Sequence, residues 1–221
     1  MIDSSVCDDH RLYALRAVYT GQPSVIGTHR GKPVVSGIAK QPVTSPTIHV
    51  GSINLAGDGQ GDRVNHGGVD KAVYAYPAEH LAVWRTERGY DHGPAMFGEN
   101  LSVVGVLEDE ARIGDIWRWG EALLQISQPR WPCYKLALHR NDPMLPKRFL
   151  ATDRSGWYLR VLAEGEASVD GDITLVERHP AGITVRDAFR AARKMVEIEL
   201  FQRVRALDVL APAWRSVLDH V

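Results

Sequence analysis

Cysteine is scarce in this chain, with Cys7 and Cys133 the only two. A disulfide framework needs more, and so does a typical iron–sulfur cluster, so neither organises the protein. The expectation is reduced thiols and a cytoplasmic home. No apolar stretch approaches the ~20 residues that cross a bilayer. The leader, with Asp3, Asp8, Asp9, His10 and Arg11, lacks the apolar core of a signal peptide. Charge of one sign is also lacking: 26 basic against 27 acidic residues leave a formal net charge of -1. No global field therefore draws the chain to nucleic acid or to an anionic membrane, and any bound anion must be caught by a local arrangement. Internal repeats, low-complexity tracts, a phosphate-binding Walker loop, a dinucleotide glycine fingerprint and a serine-hydrolase elbow are all absent.

What is present is a globular composition, 44% hydrophobic over 221 residues, enough for one sizeable core and a small appendage. Short apolar runs at Ala14–Val18, Val25–Gly27, Val34–Ala39 and Ile48–Val50 read as strands. Turn signals such as His29-Arg30-Gly31-Lys32-Pro33 separate them. The stretch from Gly57 to Asp70 has five glycines and reads as a loop. Ala72–Tyr76 is a further strand. Pro77 then opens a helix that presents Leu81 and Trp84 and stops at Gly89. Phe97–Ser102, Ile116–Trp119, Glu121–Ser127, Gly156–Ala163 and Ile173–Glu177 complete the strands, with a short helix at Lys147–Thr152.

After Pro180 the texture changes. Thr184 and Asp187 suggest a capping box, and Val185, Ala188, Phe189 and Ala192 share a helical face. Leu200, Phe201, Val204 and Leu207 suggest a second helix. Pro212 starts a third, bearing Trp214, Val217, Leu218 and Val221. The pattern is mainly β with α: residues 1–180 form a barrel of short strands, and residues 181–221 form a small three-helix C-terminal domain. About forty residues are marginal alone, so these helices should pack on the barrel or on a second subunit. Their apolar faces are compatible with a homodimer.

Four clusters carry chemistry. Cys133 lies in Gln128-Pro129-Arg130-Trp131-Pro132-Cys133-Tyr134-Lys135, where two prolines bracket Arg130. Arg130 and Lys135 can stabilise a thiolate, the form that attacks or ligates a soft metal. A buried structural cysteine is the competing reading. The Gly57–Lys71 loop offers converging backbone amides beside Arg63 and Lys71, suited to a phosphate or a pterin ring. It also reads as a string of turns, or as a metal centre built from Asp58, Asp62, His66 and Asp70, although it lacks the usual ligand spacing. Asn100, in Phe97-Gly98-Glu99-Asn100, has the donors and acceptor that match a heterocycle edge. Lys40 closes a strand and, by residue type, is more often a solvated surface charge. His49, His80, His139 and His179 have no metal spacing and read as ordinary residues.

In order along the chain, SGIAKQPV at 36–43, GDGQGDRVNHGGVDKAVYAYP at 57–77, FGENLS at 97–102 and GDIWRWGEALLQISQPRWPCYKL at 114–136 resemble the MOSC family, named for the C-terminal domain of molybdenum cofactor sulfurase. The resemblance is to its bacterial YiiM-like group, associated with 6-N-hydroxylaminopurine resistance, and runs from about Leu15 to the end. It implies a MOSC-type β-barrel and a molybdenum cofactor (Mo-molybdopterin). It also implies an oxidoreductase that reduces N-hydroxylated compounds (hydroxylaminopurines, hydroxylamines, amidoximes) to amines. Cys133 is then the molybdenum ligand, with His66 and Arg130 beside it at the catalytic centre. Lys40, Arg63, Gly67, Gly68, Lys71, Asn100, Gln128 and Lys135 are the cofactor contacts expected with them. Electrons must come from a separate donor protein. A non-catalytic carrier of molybdenum cofactor or sulfur is the alternative, and a hydrolase on the Asp/His loop or an interaction module on the last helices are others.

Overall fold

The computed structural model describes residues 11–61, 67–90 and 93–221. Seven strands close into a ring. They are β1 (Leu12–Thr20), β6 (Val73–Pro77), β7 (Leu101–Val104), β8 (Ile116–Trp119), β9 (Ala122–Pro129), β10 (Trp157–Ala163) and β12 (Ile173–Glu177). The order around the ring is β12-β8-β9-β10-β6-β7-β1, and β1 returns to β12 through Leu12 opposite Thr174 and Tyr13 opposite Ile173. Closure removes the unpaired edges that an open sheet of this size would expose.

All ring pairs are antiparallel except β6–β7, whose parallel register sets Ala75 beside Leu101. A parallel pair needs a crossover. It is made by helix α1 (Glu79–Arg88), which ends where the sequence predicts, with Gly89 in the left-handed conformation at φ 65°. Outside the ring, β2 (Ser24–His29) and β3 (Lys32–Ser36) form a hairpin. β4 (Gln41–Pro42) pairs antiparallel with the end of β1, and β5 (Thr47–Val50) pairs with β11 (Gly165–Ser168).

The barrel is filled by aromatic side chains. Trp84, Trp117, Trp119, Trp157 and Trp214 are fully buried, and Trp117 meets Trp157 edge-to-face at 5.7 Å. Each ring removes roughly 150–250 Å² from water, so tryptophan alone accounts for a large share of the apolar driving force. The sixth, Trp131, is 38% exposed and lies between the barrel and the last helices, 5.8 Å from both Phe189 and Trp214.

The C-terminal helices are α4 (Val185–Ala191), α5 (Ile198–Ala206) and α6 (Pro212–Asp219). The capping box at Thr184 and Asp187 is formed in both directions. Backbone bonds tie the segment to the barrel, Ile113 N–H to Ile183 O (2.9 Å) and Ala211 N–H to Ser127 O (3.0 Å). Val185, Phe189 and Trp214 belong to the same apolar core as the barrel tryptophans.

Three local differences from the sequence reading matter for the site. The strand expected at Val34–Ala39 stops at Ser36, because the chain turns at Gly37 against the carbonyl of Gly59. The strand expected from Phe97 begins only at Leu101, after a turn closed by Gly98 N–H to Ala95 O (2.8 Å) with Gly98 at φ 78°. A helix the sequence reading lacked, α2 (Tyr134–Arg140), starts directly after Cys133 and is followed by α3 (Leu145–Leu150).

Candidate functional site

A row of side chains crosses three barrel strands. Gln128 on β9 pairs with Tyr158 on β10, which pairs with Tyr74 on β6. Directly paired residues project from the same face of a sheet, so the two tyrosine rings meet, 5.1 Å apart. Just past this row β9 ends at Pro129, and Arg130 turns back over the tyrosines. Its guanidinium lies 5.0 Å from the Tyr74 ring and 5.5 Å from the Phe149 ring. Only 6% of Arg130 is exposed. Burial works against its charge, but Tyr74, Tyr158 and Cys133 outweigh burial and raise its pKa, so it remains a cation. Its Nη1 is buried and has no hydrogen-bond partner among the described residues.

Cys133 follows on an extended backbone (φ -132°, ψ 173°) as the N-cap residue of α2, half-buried. Lys135, in the first turn, is buried. These groups face an open cleft of about 670 Å³, its mouth included. Its lining brings Lys40, Lys71, Asn100, Arg130, Cys133 and Lys135 together from four separate stretches of chain.

The far wall is a polar lattice around Asp58. Lys40 is buried and ion-paired to Asp58, so it is not the solvated surface charge that its residue type suggested. Burial lowers the Lys40 pKa, while Asp58 and Glu99 oppose the shift. Asp58 also accepts from Gly21 N–H at 2.8 Å and from Asn100 Nδ2 at 2.9 Å. Asn100 closes the lattice by accepting from Tyr74 N–H at 3.0 Å and donating to Tyr19 O at 3.1 Å. Its amide therefore braces the wall as well as lining it. Beneath lies Glu99, 1% exposed, its pKa raised by burial although backbone amides and Arg130 stabilise the carboxylate.

Glycines let the loops of the cleft wall pack closely. A Cβ on Gly37 would stand 2.2 Å from Gly59 O, and one on Gly98 would stand 2.5 Å from Ile38 Cγ1. Gly67, Gly68 and Gln128 do not line the cleft. The Gly68 amide is already used by Gln60 Oε1 at 2.8 Å, and Gln128 is buried with its Nε2 on Pro129 O at 3.2 Å. Arg63 and His66 lie outside the described residues.

Of the alternative metal centre, Asp58 serves Lys40, and Asp70 accepts from Arg160 Nε at 2.7 Å. Asp62 lies outside the described residues, and no cluster of three or more His, Cys, Asp or Glu arranged for a metal occurs among those described. Tyr74 and Tyr158, which flank Arg130, were not found from sequence. Each lies in a strand that the sequence did mark, but only the pairing register turns both toward the cleft.

The MOSC domain family profile matches residues 62–174. The chain belongs to the MOSC family. It is 38% identical over 207 residues to Protein YiiM of Escherichia coli, covering 91% of this chain and 89% of that protein. The crystal structure of YiiM from Geobacillus stearothermophilus superposes with a TM-score of 0.77 at 31% identity, over 94% of this chain and 98% of that one. A protein named Reductase from Gibberella moniliformis is 35% identical over 154 residues, 67% of this chain but 27% of its own length. The closed barrel followed by helices is thus the MOSC fold. No helix among the described residues is long and apolar enough to cross a membrane.

Proposed function

We propose that this MOSC protein binds a molybdenum cofactor with the Cys133 sulfur on the metal, and that it reduces N-hydroxylated compounds to amines. The observation that carries the reading is the convergence on one cleft of Cys133, the cations Lys40, Lys71, Arg130 and Lys135, and the buried, unpartnered Nη1 of Arg130. That donor set fits the group: a soft sulfur for molybdenum and cations for a phosphate. A buried guanidinium nitrogen without a partner costs roughly 1–3 kcal/mol, a penalty that a bound acceptor removes. The similarity to a protein named Reductase favours redox chemistry over a purely binding role.

The bound group supplies two-electron oxygen removal, R–NHOH + 2 e⁻ + 2 H⁺ giving R–NH₂ + H₂O. The chain holds and polarises. Arg130, fixed by Tyr74, Phe149 and Tyr158, places a permanent charge where the departing oxygen gains electron density. Burial raises the pKa of both tyrosines, so they remain hydrogen-bond donors across the working pH range. Gly37 and Gly98 let the loops of the cleft wall pack against Gly59 and Ile38. The two electrons are delivered by a separate donor protein.

The test is expression of wild type and Cys133→Ser in cells that make the cofactor, with anaerobic purification. Molybdenum and pterin are measured per chain, and reduction of 6-N-hydroxylaminopurine is followed with an artificial donor. Near-stoichiometric metal and turnover, both lost in the variant, are expected. Metal retained by Cys133→Ser would overturn the ligand assignment. A loaded protein that turns over no N-hydroxylated compound would leave a carrier.

A further inference from the structure

A second concavity opens beside the cleft. It is lined by His29, Arg30, Lys32, Gly61, Tyr134 and Lys135, with Val34 at its base. Gly61 and Lys135 also line the main cleft, so the two spaces are continuous. Four of these side chains are cationic or imidazole, and no carboxylate occurs among the described residues that line the groove. In a chain of net charge -1 this is a local concentration of positive charge, and it adjoins the site.

The groove is built rather than incidental. His29 and Lys32 face each other across the turn of the β2–β3 hairpin. The hairpin is braced on α2 by the His29 ring against Tyr134, 4.5 Å between centroids, and by Gly27 over Leu138. The two-residue turn between them is Arg30-Gly31, both at positive φ (52° and 75°). Such turns favour Asn-Gly or Gly-Gly. An arginine held there pays a backbone cost, and its side chain joins the wall of the groove.

We propose that this groove binds the phosphate of a phosphorylated substrate. The main cleft then takes the N-hydroxylated base of a nucleoside phosphate while Arg30 and Lys32 hold its phosphate at the mouth. The inference rests on the functional reading above for the base, and on the groove alone for the phosphate. A compact anion fits better than an acidic protein surface, because the cations converge into one concavity around an aromatic ring instead of spreading over a face.

The experiment is calorimetric titration of the cofactor-loaded protein with adenosine 5′-monophosphate and with adenosine. It is repeated on Arg30→Gly/Lys32→Thr, a double variant that keeps β propensity and relieves the strained turn. The monophosphate is expected to bind at least about tenfold tighter than the nucleoside, with the gap closing in the variant and nucleoside affinity unchanged. Equal affinities in the wild type would overturn the proposal whether or not the protein reduces anything. A gap seen only after the cofactor is stripped would give the groove to the cofactor's own phosphate, and would also overturn it. In turnover, the double variant should raise KM for N-hydroxyadenosine 5′-monophosphate about tenfold and leave kcat and the free-base KM alone. A parallel loss for the free base would show that the variant damages the shared cleft, and would count against a phosphate-specific role.

Discussion

Replacing Lys40 with methionine separates two roles that its position combines. Lys40 and Asp58 are both almost wholly buried and ion-paired. Removing one member of such a pair leaves an uncompensated charge and costs ~3–5 kcal/mol. Asp58 retains donors from Gly21 N–H and Asn100 Nδ2, which keeps the expected loss for Lys40→Met near the lower end, about 3 kcal/mol. In urea that is a midpoint shift of about 1–2 M.

The double variant Lys40→Met/Asp58→Asn should recover part of it. An asparagine oxygen still accepts from Gly21, but its amide nitrogen would face Asn100 Nδ2. That side chain cannot flip, because its Oδ1 is held by Tyr74 N–H. A residual loss of ~1–2 kcal/mol follows, so the double variant should be more stable than Lys40→Met alone. If Lys40→Met costs less than about 1 kcal/mol, or if the two losses simply add, the pair is not coupled and the reasoning fails. Pterin content then reads the second role. A folded double variant without cofactor would make Lys40 a direct contact, and one that still carries cofactor would make it only the partner of Asp58.

Three further outcomes are open to simple measurement. His139 has its pKa lowered to about 4 by burial and by Arg140 and Arg130, against an ordinary value of 6.5. The unfolded chain therefore binds the extra proton first, and this group's contribution to stability falls as pH drops from 6.5 to about 4. His139→Gln should narrow the difference between urea midpoints at pH 7.5 and 4.5. Partial exposure limits the effect to under ~2 kcal/mol, and an unchanged difference would refute it. Gly37→Ala puts a Cβ 2.2 Å from Gly59 O, a backbone atom that cannot swing aside. It should cost ~1–3 kcal/mol by thermal melting and lower cofactor content, whereas Gly31→Ala, with open space around it, should leave cofactor content unchanged. Trp214→Ala removes a buried ring stacked 6.4 Å from Phe189 and should cost ~3–5 kcal/mol in a single unfolding transition shared with the barrel. Two separate transitions would instead mark the last helices as an independent unit.

The readable and unreadable parts of this protein divide on whether a feature is local. The capping box at Thr184, the αL stop at Gly89 and Pro212 at the head of α6 are decided by neighbours within a turn, and all three were legible. Ring closure depends on Tyr13 meeting Ile173, partners that no local pattern links; the run of short strands indicated a barrel but not which two strands close it. The cleft shows the same division. Cys133 stood out through the prolines that bracket Arg130 just before it and through nearby cations, but α2 did not, because the Pro-rich run before it read as loop. Lys40 was marked by its motif and mistaken in character. Its burial follows from Asp58, eighteen positions on, and Asp58 is held in turn by Asn100 from a third strand region. Tyr74 and Tyr158 were invisible for the strongest form of that reason. A one-residue slip of register would turn either away from Arg130, so the guanidinium's seat is a property of the β6–β10–β9 pairing and of no single segment.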